Sequence, residues 1–285
     1  RNWNNKPRQK TIQGKWKKRA NSSIQKKKND RPGIIFNVFH FDHSQPLRAG
    51  CFVMVLYLQD KDLVGDFMIV VSDLMGTLTT GAPFLGLVDW VRHNQSRLHA
   101  NMYIASILPS YLLAKSGLID SLAWGQKLML NSLSYIKDAD EEKVRHVSEW
   151  VVEQNLWKKR REDVVARLIN HREEGAQVYI ASSVVEPFIE PFANRIGAQV
   201  VGTPTEIVEG RLRSIGELVA DEKKIERVLS RVGVERVDVA YGDTVLDLPL
   251  LEHAEHPVAV YPEAKLKSIA LERGWEIMGD TPDYM

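Results

Sequence analysis

The residues best equipped for chemistry stand together in Asp73-Leu74-Met75-Gly76-Thr77-Leu78-Thr79-Thr80, directly after the apolar run Phe67-Met68-Ile69-Val70-Val71. A run of β-branched and large apolar residues with no charge, stopped by a turn, reads as a buried parallel strand. Asp73 then falls at the strand's end, and open α/β sheets bind ligands at the carboxyl ends of their strands. Gly76 permits a sharp turn, and Thr77 and Thr79 supply hydroxyls beside backbone N–H groups. Together these suit a carboxylate nucleophile beside a phosphate pocket.

Two more runs end in the same manner. Gln177-Val178-Tyr179-Ile180-Ala181 leads to Ser182-Ser183, and Arg236-Val237-Asp238-Val239-Ala240-Tyr241 leads to Gly242-Asp243-Thr244. Asp247 lies four residues beyond Asp243, and the two acids share a face if that segment opens a helix. Clustered carboxylates raise one another's pKa unless a cation neutralises them. A small set of oxygen ligands next to a phosphate suits Mg²⁺ rather than zinc. A lysine at the same sheet edge, Lys224 or its neighbour Lys223, would balance charge around a phosphoryl dianion. A serine hydrolase built on Ser182 or Ser183 lacks the Gly-x-Ser-x-Gly elbow.

The elements that must position these groups follow from periodicity. Between Thr80 and residue 160 the pattern is helical, over Pro83–Asn94, Ala100–Lys115, Ile119–Ser134 and Asp140–Gln154, which makes a bundle. Inserted after the first strand, it would sit over the site as a lid. From Arg160 on, strands and helices alternate: helices at Arg160–Glu174, Val185–Ile196, Glu222–Val232 and Glu263–Arg273, and a further strand at Ala198–Gly202. Pro257–Tyr261 and Trp275–Met278 read as edge strands, and the stretch from 203 to 219 shows no clear period. Alternation of this kind predicts an α/β fold, a Rossmann-like parallel sheet with helices on both faces. The expected division is a basic extension over 1–62, an α/β core from 66–80 and 157–285, and a helical cap over 81–156.

The totals set bounds. Hydrophobic residues make up 44% of the 285 and charged residues 26%, ordinary for a globular chain. One cysteine, Cys51, rules out an internal disulfide and fits a reducing, cytoplasmic location. No apolar run reaches the roughly 18 residues of a membrane span, so no membrane partner is expected. The net charge of +1 hides an imbalance: residues 1–32 carry twelve Lys/Arg against one Asp, about +11, which leaves about −10 for the remainder. Such a tail has the composition of a disordered extension, and a nucleic acid is its natural partner if it has one. The first methionines are Met54 and Met68, and the expectation is that much of 1–65 lies upstream of the natural start or belongs to no fold. His40, Asp42 and His43 fall in this region and receive no role.

Taken in order, Asp73-Leu74-Met75-Gly76-Thr77-Leu78-Thr79, Ser182, Lys224 and Gly242-Asp243-Thr244-Val245-Leu246-Asp247 resemble the four motifs of haloacid dehalogenase-like hydrolases. The helical insertion after the first motif is similar to the cap of the phosphoserine-phosphatase-like branch, as is the run Ala254–Trp275. The resemblance covers about 66–280. It implies a Mg²⁺-dependent phosphatase acting on a small phosphorylated metabolite. Asp73 would attack phosphorus and carry an aspartyl-phosphate. Ser182 would hold a phosphoryl oxygen and Lys224 would offset charge. Asp73, Asp243, the Met75 carbonyl and Asp247, as a ligand or just behind one, would hold the metal.

One position departs from the pattern. These phosphatases usually carry a second aspartate two residues after the nucleophile, where this chain has Met75. That acid protonates the leaving oxygen and later activates water, a contribution of ~10²–10⁴-fold that a thioether cannot make. Three readings follow: a phosphatase for aryl or acyl phosphates, a hydrolase of dehalogenase or phosphonatase type, or a weakly active binder of a phosphorylated ligand. Arg92, His93, Arg97, Lys127 and Tyr135 are the cap side chains placed to meet a substrate or to solvate the bundle.

Overall fold

The computed structural model describes residues 67–119 and 121–279. The basic extension, Cys51 and the His40-Asp42-His43 group lie outside them. Six strands form one sheet: β1 (Ile69–Ser72), β2 (Gln177–Val185), β3 (Gln199–Thr203), β6 (Val237–Gly242), β7 (Ala254–Val260) and β8 (Glu276–Met278). Their order is β3-β2-β1-β6-β7-β8 and every pairing is parallel. The strand that leads to Asp73 is therefore central, with the strands leading to Ser182 and Asp243 on either side.

Alternation along each strand divides the core in two. Val70, Val178, Ile180, Val239 and Tyr241 face one layer, and Ile69, Val71, Tyr179, Ala181 and Ala240 face the other. Helices α5 (Glu162–Glu173) and α6 (Glu186–Ile196) cover the first face through Val164, Leu168, Phe188 and Phe192. Helices α7 (Glu222–Val232), α8 (Leu248–Glu252) and α9 (Ala264–Arg273) cover the second through Ile225, Val228, Leu250 and Leu266. This is the two-faced α/β architecture that the alternation implied.

Between β1 and α5 run four helices: α1 (Pro83–Asn94), α2 (Arg97–Lys115), α3 (Ser121–Ser132) and α4 (Glu141–Val151). Proline opens α1, and the Ser96 and Asp140 side chains cap α2 and α4 by accepting from the N–H groups of His99 and Lys143. Leu87, Trp90 and Val91 of α1 meet Val144, Val147 and Val151 of α4 in a core continuous with the α5–α6 face.

Two expectations need correction. Pro257–Tyr261 is no edge strand, because β7 pairs with β6 on one side and β8 on the other. Val258-Ala259-Val260 is fully buried, the mark of an internal strand. The stretch without clear period contains a hairpin, β4 (Thr205–Val208) with β5 (Arg211–Ile215), turned by Glu209 at φ 52° and Gly210 at φ 71°. Two successive positive φ values match the twist of a two-residue hairpin. The hairpin meets the cap: Asp138 N–H donates to Leu212 O (2.9 Å), Leu212 N–H to Ala139 O (2.9 Å), and Arg213 Nη1 to Asp138 Oδ1 (2.7 Å).

Candidate active site

Register brings the strand tips level. Ser72 lies opposite both Ile180 and Tyr241, so Asp73 follows one step beyond, flanked by the segments that carry Ser182 and Asp243. The Asp73 N–H donates to the Tyr241 carbonyl at 3.0 Å, which extends the parallel ladder one residue past β1.

Carboxylate oxygens of Asp73, Asp243 and Asp247 lie within 4.8 Å of one another, and all three residues are buried. Lys224 joins two of them: its Nζ donates to Asp73 Oδ1 and to Asp247 Oδ1, each at 2.7 Å. Lys223 points elsewhere, to the exposed Glu217. Burial works to discharge Lys224, but Asp247 and Asp73 outweigh it and hold the ammonium well above its ordinary pKa. Burial also raises the Asp73 carboxyl above its usual value, against the pull of Lys224 and with help from Asp247. Three carboxylates and one ammonium leave a formal charge of −2, the deficit that one divalent cation fills. An all-oxygen donor set fits Mg²⁺ on the same ground.

Asp247 is reached differently from the helical-face expectation. Thr244 caps a 3₁₀ turn, Val245–Asp247, and the acid folds back on its own strand end. Its Oδ2 accepts from Asp243 N (3.2 Å), Thr244 N (3.3 Å) and Thr244 Oγ1 (3.4 Å). With Oδ1 on Lys224, both oxygens are already engaged. Gly242 leaves room for this return, since a Cβ there would lie 2.5 Å from the Asp247 Cβ.

The loop after Asp73 is held from within. Gly76 N–H donates to Thr79 O (2.7 Å), and the N–H groups of Leu78 and Thr79 both reach Leu74 O. Thr77 Oγ1 donates to Asp243 Oδ1 at 2.9 Å, tying the first loop to the third strand tip. Gly76 adopts φ +85°, and a Cβ on it would lie 2.1 Å from Asp243 Oδ2. Met75 is partly buried against the core, and Thr79 Oγ1 donates to Leu156 O at 2.6 Å. Ser182 is buried, and its Oγ accepts from Val184 N–H at 3.4 Å.

Of the cap side chains, Arg92 bonds Asn101 and His93 bonds the Asp89 carbonyl. Tyr135 packs edge-on against Tyr103, and Arg97 and Lys127 are exposed. One buried cation at the site escaped the sequence reading. Arg161, inside the run Lys158-Lys159-Arg160-Arg161, donates from Nε to the Gly76 carbonyl at 2.9 Å. A basic run ordinarily reads as a solvated face, and nothing in its spacing singles out that residue.

The family model described as haloacid dehalogenase-like hydrolase matches residues 70–252, which takes in Asp73, Ser182, Lys224, Asp243 and Asp247. The chain belongs to this family. Among curated relatives it is 33% identical over 114 residues to phosphoserine phosphatase SerB1 of Mycobacterium tuberculosis H37Rv, a match covering 38% of this chain and 37% of that one. It is also 33% identical over 121 residues to a histidinol-phosphatase of Neisseria meningitidis serogroup C, covering 38% of this chain and 54% of the relative. The matched stretches thus span about two fifths to half the length of these relatives. A solved protein of unknown function from Bordetella pertussis Tohama I shares the fold, with a TM-score of 0.62 at 21% identity over 75% of this chain and 98% of that one.

Proposed function

We propose that this haloacid dehalogenase-like protein is a Mg²⁺-dependent phosphatase for small phosphorylated metabolites. The observation that carries the reading is the Asp73–Lys224–Asp247 bridge beside Asp243, an acid cluster left at −2 on the tips of adjacent strands. Asp73, Asp243 and the Met75 carbonyl would hold the metal. Asp247, whose oxygens are taken by Lys224 and by the Asp243–Thr244 backbone, stands behind them and fixes the ammonium. The bound ion would supply charge neutralisation for the phosphoryl oxygens.

Lys224 holds Asp73 by Oδ1 and so sets the carboxylate's orientation. Asp73 attacks phosphorus, the bond to the leaving oxygen breaks, and an aspartyl-phosphate remains. Water then cleaves that acyl phosphate, releasing inorganic phosphate and restoring the carboxylate. Ser182 and the loop N–H groups after Asp73 receive the phosphoryl oxygens, the loop serving as an anion nest. Positioning and electrostatics lower most of the barrier in such transfers. The leaving group takes its proton from water, because Met75 occupies the acid's position. This favours aryl and acyl phosphates, whose leaving groups need little protonation.

Met75 also supports a second reading, in which the site acts as a dehalogenase or phosphonatase, or holds a phosphorylated ligand with little turnover. A screen of phosphorylated metabolites with and without Mg²⁺, with Asp73→Asn as the blank, separates them. Release of inorganic phosphate that needs both Mg²⁺ and Asp73 supports the phosphatase. Turnover that survives in Asp73→Asn sinks the nucleophile assignment.

A further inference from the structure

We propose that Arg161 is a positioning residue for the nucleophile loop, holding the Gly76–Thr77 peptide in the orientation that presents the Thr77 N–H to the phosphoryl group. The inference rests on the phosphatase reading above and adds to it a residue from the far side of the cap.

Arg161 is 6% exposed, and arginine is seldom buried without a structural task. Both ends of the residue attach to the same loop. Its backbone N–H donates to Leu78 O at 2.8 Å, and its Nε donates to Gly76 O at 2.9 Å. The guanidinium carbon lies 3.8 Å from the centroid of the Tyr261 ring, so the plane is stacked as well as bonded. Tyr261 is itself fixed: its OH donates to Asp163 Oδ2 (3.0 Å) and its N–H to Met278 O (2.6 Å). Its backbone adopts φ 41°, a rare conformation for an aromatic residue. A Cβ at Gly279 would lie 2.4 Å from the ring, so the glycine makes way for it. Strain kept at such a position is expected where surroundings over-determine the geometry.

A trans peptide is planar, and its C=O and N–H point in opposite directions. With the Gly76 carbonyl held by Arg161, the Thr77 N–H is turned away from Arg161. That amide has no acceptor among the described residues, whereas Thr77 Oγ1 is bonded to Asp243. The free donor therefore belongs to the residue that touches the acid cluster. Arg161 is also the N-cap of α5, the point at which the chain returns from the cap to the core. Any shift of the cap's return segment is thus passed to the peptide beside the acids.

The test compares Arg161→Met, which keeps bulk and loses the donors, with Arg161→Lys, which keeps charge and one donor. Turnover of p-nitrophenyl phosphate, inhibition by orthovanadate, Mg²⁺ affinity by calorimetry and Tm are measured for each. Arg161→Met is expected to lower kcat and vanadate affinity at least tenfold each, with Mg²⁺ affinity within twofold. Arg161→Lys is expected to recover at least threefold of the kcat loss. A kcat within twofold of wild type in Arg161→Met overturns the proposal, as does a parallel loss of Mg²⁺ affinity, which would mark general disruption. If Arg161→Met does not fold, Tyr261→Leu carries the test: a threefold or greater loss of vanadate affinity supports the role and an unchanged affinity overturns it. Wild-type protein with neither turnover nor vanadate binding would remove the phosphatase reading and this inference together.

Discussion

Adding one methyl group at Gly76 tests the site's geometry directly. At φ +85° an L-residue costs roughly 1–2 kcal/mol in backbone strain. The added Cβ would lie 2.1 Å from Asp243 Oδ2. Ordinary contact begins at 3.4 Å, so the carboxylate must retreat by about 1.3 Å or the loop must move by as much. Asp243 is buried and bonded to Thr77 Oγ1, so neither partner has open space to enter. A misplacement near 1 Å at reacting groups costs about 10²-fold in rate. Gly76→Ala is therefore expected to lose about 100-fold in kcat/KM for p-nitrophenyl phosphate at saturating Mg²⁺. The strain alone lowers Tm by only about 2–8 °C for a domain of this size. A folded variant that keeps more than a third of wild-type kcat/KM would refute the reasoning, because the acid would then not need the place the structure gives it.

Two further outcomes follow from single side chains. Met75→Asp restores a proton donor, so turnover of an alkyl phosphate should rise by ~10²-fold or more, and that of p-nitrophenyl phosphate by much less; equal gains would argue against a missing acid. His171 donates to or accepts from Tyr241 OH at 2.8 Å, and burial together with Arg167 lowers its pKa from 6.5 to about 4. The folded state thus resists a proton that the unfolded chain accepts, so this stability is complete above pH 6.5 and fades as pH falls towards 4. The interval is worth at most about 3 kcal/mol, and partial exposure brings it to about 1–2 kcal/mol. His171→Phe should flatten that acid-side loss in urea midpoints taken at pH 7 and 4.5; an unchanged slope would clear His171.

What was legible before the fold was known is what local chemistry imposes. An apolar run ending in Asp73, and another ending in Gly242-Asp243, announce strand tips, and parallel order follows from the helices between them. What was hidden depends on partners distant in sequence. Glu209-Gly210 turns a hairpin without the Asn-Gly or Asp-Gly pair that signals one, so β4 and β5 escaped notice. The all-apolar run Val258-Ala259-Val260 was the available sign that β7 is internal, but its two pairing partners, β6 and β8, lie elsewhere in the chain. Lys224 could not be told from Lys223 by pattern, since adjacent residues on a helix differ only in the direction they face. Arg161 was harder still, because its partner, a backbone carbonyl, leaves no trace in side-chain spacing.

The arrangement also explains why the two acids of the last motif, Asp243 and Asp247, stand four residues apart. Asp247 serves the site through the charge of Lys224, and to reach that ammonium it must turn back over Gly242, against which no side chain would fit. One 3₁₀ turn capped by Thr244 accomplishes the reversal in the fewest residues. A regular helix beginning at Asp243 would instead send both carboxylates outward from one face and leave Lys224 with a single partner. Removing charge from a buried lysine held by one acid is far easier than from one held by two. The spacing therefore keeps the ammonium charged beside Asp73, whose Oδ1 it holds.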